Sequence, residues 1–465
     1  MTPPPIPKVL AAIGVAACLA VSSSTAAPPS LHAQPPGGPS ALRTFARAAS
    51  AARAHLEKDA GNLWGSRLDT IPWMGVNGGE IALTDDPRAG GYVRAHGLWI
   101  GPLPAGMAPA NTAVRWGGRS WAMVVLPVPV DSVAATRLLL HEVWHVAQPS
   151  LLPLPLASEG GALSAQLDEP MGRTWLQLEW RALARALESS GTVEREAIDH
   201  ALLFRARRYA AAPPAEQARQ RLLDLSEGLA EYSAWKLMGS DVRSLAGMIR
   251  DVAPAARSFI RSFPYYTGPA YAFLLDRHAP GWIAKLRTTP DLQSLLARAL
   301  HGERASVIAA LTGAALDTGR LAQSAERAGA AYGLAALRQA EDTRWADRQR
   351  QIAELRARFV DGPTLRLRPG ALRISFDPSR QTALGESGTV MGNLLWRGAD
   401  GAELSAPEGA LVTADWSEIR VPMSSVTFTA GQLTRAHEWS APGWTLRLPP
   451  GWRLAQEGAS WVAQR

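Results

Sequence analysis

Cysteine is almost missing from this chain of 465 residues: Cys18 is the only one. Everything beyond it therefore lacks disulfides, a Cys metal site and a thiolate nucleophile. Lysine is nearly as scarce, since only Lys8, Lys58, Lys236 and Lys285 among the 48 basic residues are not arginine. No basic block of five or more occurs, so the formal charge of +7 is dispersed. That pattern lacks the electrostatic footprint of a nucleic-acid binder, and no nucleic-acid partner is expected. No apolar stretch reaches the ~20 residues that span a bilayer, which excludes a transmembrane helix in the mature chain. The composition, 47% hydrophobic and 19% charged, is that of a globular protein with ample core. It excludes a collagen, a coiled coil and a wholly disordered chain, and the length suits two or three domains.

The first residues read as a secretory leader. Lys8 precedes the uncharged run Val9–Val21, and small polar residues from Ser22 to Ala27 follow. Two processing routes fit. Val15-Ala16-Ala17-Cys18 looks like a lipobox, whose cysteine is acylated in bacterial lipoproteins, and Ser24-Thr25-Ala26 has the small-x-small form of ordinary cleavage. The expected layout is a signal peptide over 1–33 (or a lipoprotein leader to 17), then a Pro/Gly-rich spacer over 34–40. Either route places the mature protein outside the cytoplasm: periplasmic, secreted, or attached to the bacterial envelope through a lipidated Cys18.

Beyond the spacer the expected fold class is α+β. Ala41–Lys58 reads as an amphipathic helix; Ile81–Leu83, Tyr92–Ile100 and Trp121–Pro127 read as strands of a small mixed sheet. Val133–Gln148 reads as a helix stopped by Pro149. Long helical patterns follow at Arg173–Ser189, Glu194–Ala211 and Ala215–Met238, with shorter ones to about Phe359. After Gly362-Pro363 the texture changes to alternating Leu365, Leu367, Leu372 and Ile374 with recurrent turn residues. The expected units are a catalytic domain over 41–300, a helical extension over 301–362 and an antiparallel β domain over 363–465.

One motif carries the chemistry. His141-Glu142-Val143-Trp144-His145 is H-E-x-x-H inside a helical pattern. The i, i+4 spacing puts both imidazoles on one face, one turn apart, where they can hold a single metal. Glu142 is rotated about 100° from His141, which aims its carboxylate at a metal-bound water. Zn²⁺ lowers the pKa of that water toward 7, and the carboxylate takes its proton during attack on a carbonyl. For this composition a chance match is expected in about one chain in a hundred. The bland alternative is a helix with two exposed histidines.

Zinc needs a third protein ligand. A continuation as H-E-x-x-H-x-x-G-x-x-H would need Gly at 148 and His at 151; those positions are Gln148 and Leu151. Ser226-Glu227-Gly228-Leu229-Ala230-Glu231-Tyr232 offers a better source. Glu227 can ligate, Gly228 permits close approach of a helix or substrate, and Glu231 lies one turn on. A carboxylate there can accept the N–H of a ligating His and fix its tautomer. A solvated Glu pair on a helix surface is the competing reading. Glu179 is an alternative ligand, or half of a helix-pairing salt bridge. His200, His278 and His301 have no partner at ligand spacing and read as structural or solvated.

HEVWH followed by SEGLAEY resembles the gluzincin metallopeptidases, the group that includes thermolysin-like and aminopeptidase N-like enzymes. The resemblance implies a zincin-like domain, one Zn²⁺ per chain, and His141, His145 and Glu227 as its ligands. It also implies Glu142 as general base and Glu231 as the acid that supports a zinc His. Eighty-one residues lie between His145 and Glu227, which requires a helical insertion. Phe263-Pro264-Tyr265-Tyr266-Thr267-Gly268 resembles the Y-x-x-G segment of aminopeptidase N-like enzymes. That likeness makes Tyr265 the oxyanion donor, with Tyr266 contesting the register. A G-x-M-E-N exopeptidase motif is absent. The implied activity is zinc-dependent hydrolysis of a peptide or protein substrate. The alternative is a non-enzymatic envelope binding or assembly protein with a structural or vestigial zinc site, and hydrolysis of a non-peptide amide or ester is a third option. Glu142 separates them, because a structural site has no use for an unligated acid between its histidines.

Overall fold

The computed structural model describes residues 39–154, 165–302, 318–369, 374–377, 380–423 and 426–465. The leader with Cys18, most of the spacer, and residues 303–317 of the helical extension lie outside the described residues. The architecture is mixed α/β. The chain divides into two compact units, Met1–Glu341 and Asp342–Arg465.

The first unit begins with α1 (Pro39–Asp59), which buries Phe45, Ala48, Ala49, Ala52 and Leu56 along one face. Six strands follow: β1 (Trp73–Asn77), β2 (Glu80–Leu83), β3 (Val93–Ala95), β4 (Leu98–Pro102), β5 (Thr112–Trp116) and β6 (Arg119–Val125). They form one sheet in the order β3-β4-β2-β1-β6-β5. The β1–β6 pair is parallel and the other neighbours are antiparallel. The segment Tyr92–Ile100 is not one strand but a hairpin, turned by His96 (φ 54°) and Gly97 (φ 79°) in the left-handed region. Two successive residues with positive φ give the twist that a tight hairpin needs.

β6 leads into α2 (Ser132–Leu151), whose first turn is capped by Asp131 accepting the Ala134 N–H at 2.7 Å. The Trp73 indole N–H donates to the Leu139 carbonyl at 2.9 Å and ties β1 to this helix. Pro149 does not stop α2, which runs two residues further, to Leu151. A proline in the last turn costs only its own bond to the His145 carbonyl, and the Leu152 N–H still bonds to Gln148.

The remainder of this unit is helical: α3 (Pro170–Glu188), α4 (Gly191–Tyr209), α5 (Pro214–Leu237), α6 (Val242–Asp251), α7 (Phe259–Ser262), α8 (Pro264–His278), α9 (Trp282–Lys285), α10 (Leu292–His301) and α11 (Thr318–Ala330). α5 packs against both α2 and α8. Its crossing with α8 is set by Gly228 and Gly268. A Cβ on Gly228 would lie 2.7 Å from the Gly268 Cα, so the two backbones touch and neither position admits a side chain. A buried ion network braces the same helices. Arg205 donates to Glu179 at 2.7 Å and to Asp224 at 2.6 Å, Arg208 donates to Glu179 at 2.9 Å, and the Tyr271 hydroxyl donates to Glu179 at 3.0 Å.

The helix α12 comprises Leu334–Arg356. Its last turns give Ile352 and Leu355 to a small core with Leu384, Val390 and Leu411 of the second unit. The described strands there form an eight-stranded and a five-stranded sheet around Trp396, Trp444, Leu404, Leu446 and Leu365. This is an antiparallel sheet region with one exception. The final strand, Ser460–Gln464, runs parallel to the first, Thr364–Arg368. Among the described residues, no helix is long and apolar enough to cross a membrane.

Candidate metal centre

The site sits where α2, α5 and α8 meet. Leu139 and Leu140 are buried, which turns the next residues of α2 toward α5. His141 is buried, whereas the side chains of His145 and Glu227 keep 18% and 25% of their exposure, so the cluster opens to solvent on that side. His141 Nε2 lies 3.1 Å from His145 Nε2 and 3.3 Å from Glu227 Oε2, and His145 Nε2 lies 3.6 Å from the same oxygen. Three ligand atoms at the corners of a tetrahedron with zinc bonds of about 2.0–2.1 Å stand about 3.3 Å apart. The observed triangle has that size. His141, His145 and Glu227 form the cluster, among the described residues, that could hold a metal ion.

Glu231, one turn beyond Glu227 on α5, fixes the ring of His141. Its Oε2 accepts from Nδ1 at 3.2 Å, which assigns a proton to Nδ1 and turns Nε2 toward His145 and Glu227. The other oxygen of Glu231 accepts the Trp235 indole N–H at 2.9 Å and faces Arg137 Nε at 3.3 Å. Sequence reasoning missed Arg137 and Trp235. The available signal was their spacing, since Arg137 stands four residues before His141 and Trp235 four after Glu231.

Glu142 is buried, and its Oε2 has no hydrogen-bond partner. Burial pushes its carboxyl above the ordinary range, against the pull of His141 and His145. Tyr265 and Tyr266 point different ways. The Tyr265 hydroxyl donates to Glu227 Oε2 at 2.9 Å, and its ring stacks on His141 with centroids 5.4 Å apart. Tyr266 sits in the helical core, edge-on to Trp180. Both motif glycines serve this arrangement, because the Gly228–Gly268 contact brings Glu227 of α5 beside Tyr265 of α8.

Charge in the cluster is lopsided. Of its three carboxylates (Glu142, Glu227 and Glu231), Glu231 is ion-paired with a guanidinium, that of Arg137. With protein groups alone, burial pulls the His141 imidazole down, but Glu227 and Glu231 lift it to about 10. Burial opposes the charge of Glu227 too, yet His145 and His141 hold its carboxyl well below the usual value. The remaining sequence candidates lie elsewhere. Glu179 belongs to the ion network with Arg205 and Arg208. His200 meets the Tyr332 hydroxyl at 3.1 Å, His278 lies 3.2 Å from Glu194, and His301 lies 2.5 Å from Asp199.

No family model, no curated protein and no solved structure matches this chain.

Proposed function

We propose that the chain is an extracytoplasmic zinc-dependent peptidase of the gluzincin type, its first unit a zincin-like domain. The observation that carries this reading is the convergence of His141 Nε2, His145 Nε2 and Glu227 Oε2 on one point, with Glu142, whose Oε2 has no hydrogen-bond partner, next to His141 in the same helix. The donor set suits the group. Two imidazole nitrogens and one carboxylate oxygen are a catalytic zinc set, which leaves a fourth position for water or substrate. The partial exposure of His145 and Glu227 gives that position an approach. A structural site would close it with a fourth protein ligand.

When bound, zinc would supply Lewis acidity and a water acidified toward neutrality. Glu142 takes a proton at its free Oε2 during attack on the substrate carbonyl and returns it to the leaving amine. Burial, by raising the carboxyl, suits it to hold that proton transiently. The Tyr265 hydroxyl, which donates to the ligand oxygen of Glu227 at 2.9 Å, would donate to the negative charge that develops on the carbonyl oxygen. Glu231 keeps His141 in the tautomer that offers Nε2. Peptide or protein is the substrate class that suits this chemistry. The leader motif supports delivery outside the cytoplasm, with membrane attachment through Cys18 as one of its two routes.

A peptide-library digest with zinc-loaded protein tests the proposal. Cleavage by the wild type, lost in Glu142→Gln with zinc retained, is the expected result. Zinc binding without hydrolysis of any peptide would instead favour the non-enzymatic envelope protein.

A further inference from the structure

Glu231 is held by more than the histidine it supports. Its Oε1 takes the Trp235 indole N–H at 2.9 Å and lies 3.3 Å from Arg137 Nε, while Oε2 takes the His141 N–H at 3.2 Å. Arg137 and His141 are one turn apart on α2, and Glu231 and Trp235 are one turn apart on α5. The four residues thus close a square across the α2–α5 interface. Arg137 is itself pinned: its guanidinium lies over the Trp235 ring, 5.2 Å from the centroid, and its Nη1 reaches Met248 Sδ on α6 at 3.6 Å. Its side chain keeps only 17% of its exposure. A solvated arginine on a helix surface would show neither the stacking nor the burial.

We infer that Arg137 is a positioning residue of the metal centre, acting through Glu231 to hold His141 in its ligating orientation. The inference rests on the reading of His141, His145 and Glu227 as metal ligands. A carboxylate with one anchored oxygen cannot turn about its C–C bond, so the other oxygen stays on the His141 N–H. Loss of Arg137 removes one of the two Oε1 anchors and the guanidinium paired with this buried carboxylate. Loss of a group that orients a metal ligand typically weakens affinity about 10–100-fold. Arg137 acts one residue further out, so the lower end of that range, about tenfold, is expected.

The test is zinc affinity of the full chain, measured by competition with a chromophoric chelator. Arg137→Met is expected to bind zinc about tenfold more weakly, and Arg137→Lys, which keeps the charge but not the planar stack, about threefold. In an E231Q background, Arg137→Met is expected to add less than a twofold further loss, because the path runs through Glu231. A merely structural arginine would give its full loss again in that background, and that outcome overturns the inference. So does wild-type affinity in both Arg137 variants. If Arg137→Met does not fold, Arg137→Lys and Trp235→Phe decide, and unchanged affinity in both of these is contrary. His141→Ala keeps the two readings apart. If that variant loses zinc while the Arg137 variants do not, only the positioning role fails; if it too binds like the wild type, the metal-centre reading fails.

Discussion

Asp224 and Glu227 stand about one turn apart on α5, and both belong to polar clusters inside the helical half of the first unit. Around Asp224 the charges cancel within the protein. Glu179 and Asp224 face Arg205 and Arg208 at 2.6–2.9 Å, and Tyr271 and Gln293 fill further acceptor sites. Around Glu227 they do not. The Nε2 atoms of His141 and His145 and the Glu227 Oε2 face one another at 3.1–3.6 Å, with Arg137 set behind Glu231 rather than among them. Acceptors meet acceptors at such distances only with a proton or a cation between them. The first cluster pairs its charges internally and braces α3, α4, α5 and α8, although Asp224 Oδ1, Arg205 Nη2 and Arg208 Nε have no hydrogen-bond partner. The second has its full chemistry only with a positive guest.

The comparison can be broken at either cluster. The largest effect is expected at Glu142. Glu142→Gln keeps the shape and the zinc, and peptide hydrolysis falls about 10²–10⁴-fold, the usual yield of a positioned general base; initial rates on a cleaved library peptide read it. Next is the brace. Glu179→Ala leaves the buried Arg208 guanidinium without a carboxylate and Arg205 with Asp224 alone, so folding stability is expected to drop by about 3–5 kcal/mol. Urea melts measure that, and a drop under about 1 kcal/mol would mean that the network is not holding these helices. Tyr265→Phe comes third, with kcat lower by about 10²–10³ at nearly unchanged KM. Tyr266→Phe should alter stability more than rate, because its ring is core. A larger rate loss in the Tyr266 variant would move the oxyanion donor by one residue.

The smallest effect is a proton count. With only protein groups around it, the His141 ring keeps its second proton, on Nε2, up to a pH of about 10, held there by Glu227 and Glu231 against the pull of burial. Ligation through Nε2 requires that proton to leave. Zinc binding at pH 8 should therefore release about one proton from this ring, and affinity should rise about tenfold per pH unit below 10. Titration calorimetry in two buffers of different ionisation enthalpy gives the count. No proton release would mean that the free ring is already neutral at pH 8 and that Glu227 and Glu231 do not hold its proton there.

Much of the first cluster's neighbour was legible in the sequence, for a physical reason. H-E-x-x-H works through helical periodicity alone, so His141, Glu142 and His145 need no tertiary knowledge. Glu227 and Glu231 could be picked out because one turn separates them and a glycine sits between. That glycine's partner was not legible. Gly268 stood in the sequence as the end of a Y-x-x-G segment, and only the crossing of α5 and α8 shows that it makes room for Gly228. Arg137 and Trp235 were missed because their roles arise across two helices. β1 escaped notice since its first four residues are buried on both faces, which erases the alternation that marks a strand. β5 is five residues long and mostly exposed, and carries little pattern at all. The parallel pairing of the first and last strands of the second unit likewise depends on contacts between segments far apart in sequence.

Zinc stoichiometry of the purified full chain, by elemental analysis after dialysis against limiting metal, tests the central claim most directly. The account predicts one zinc per chain in the wild type and in Glu142→Gln, and none in His141→Ala or His145→Ala. Equal zinc in all four proteins, or none in any of them, would contradict it.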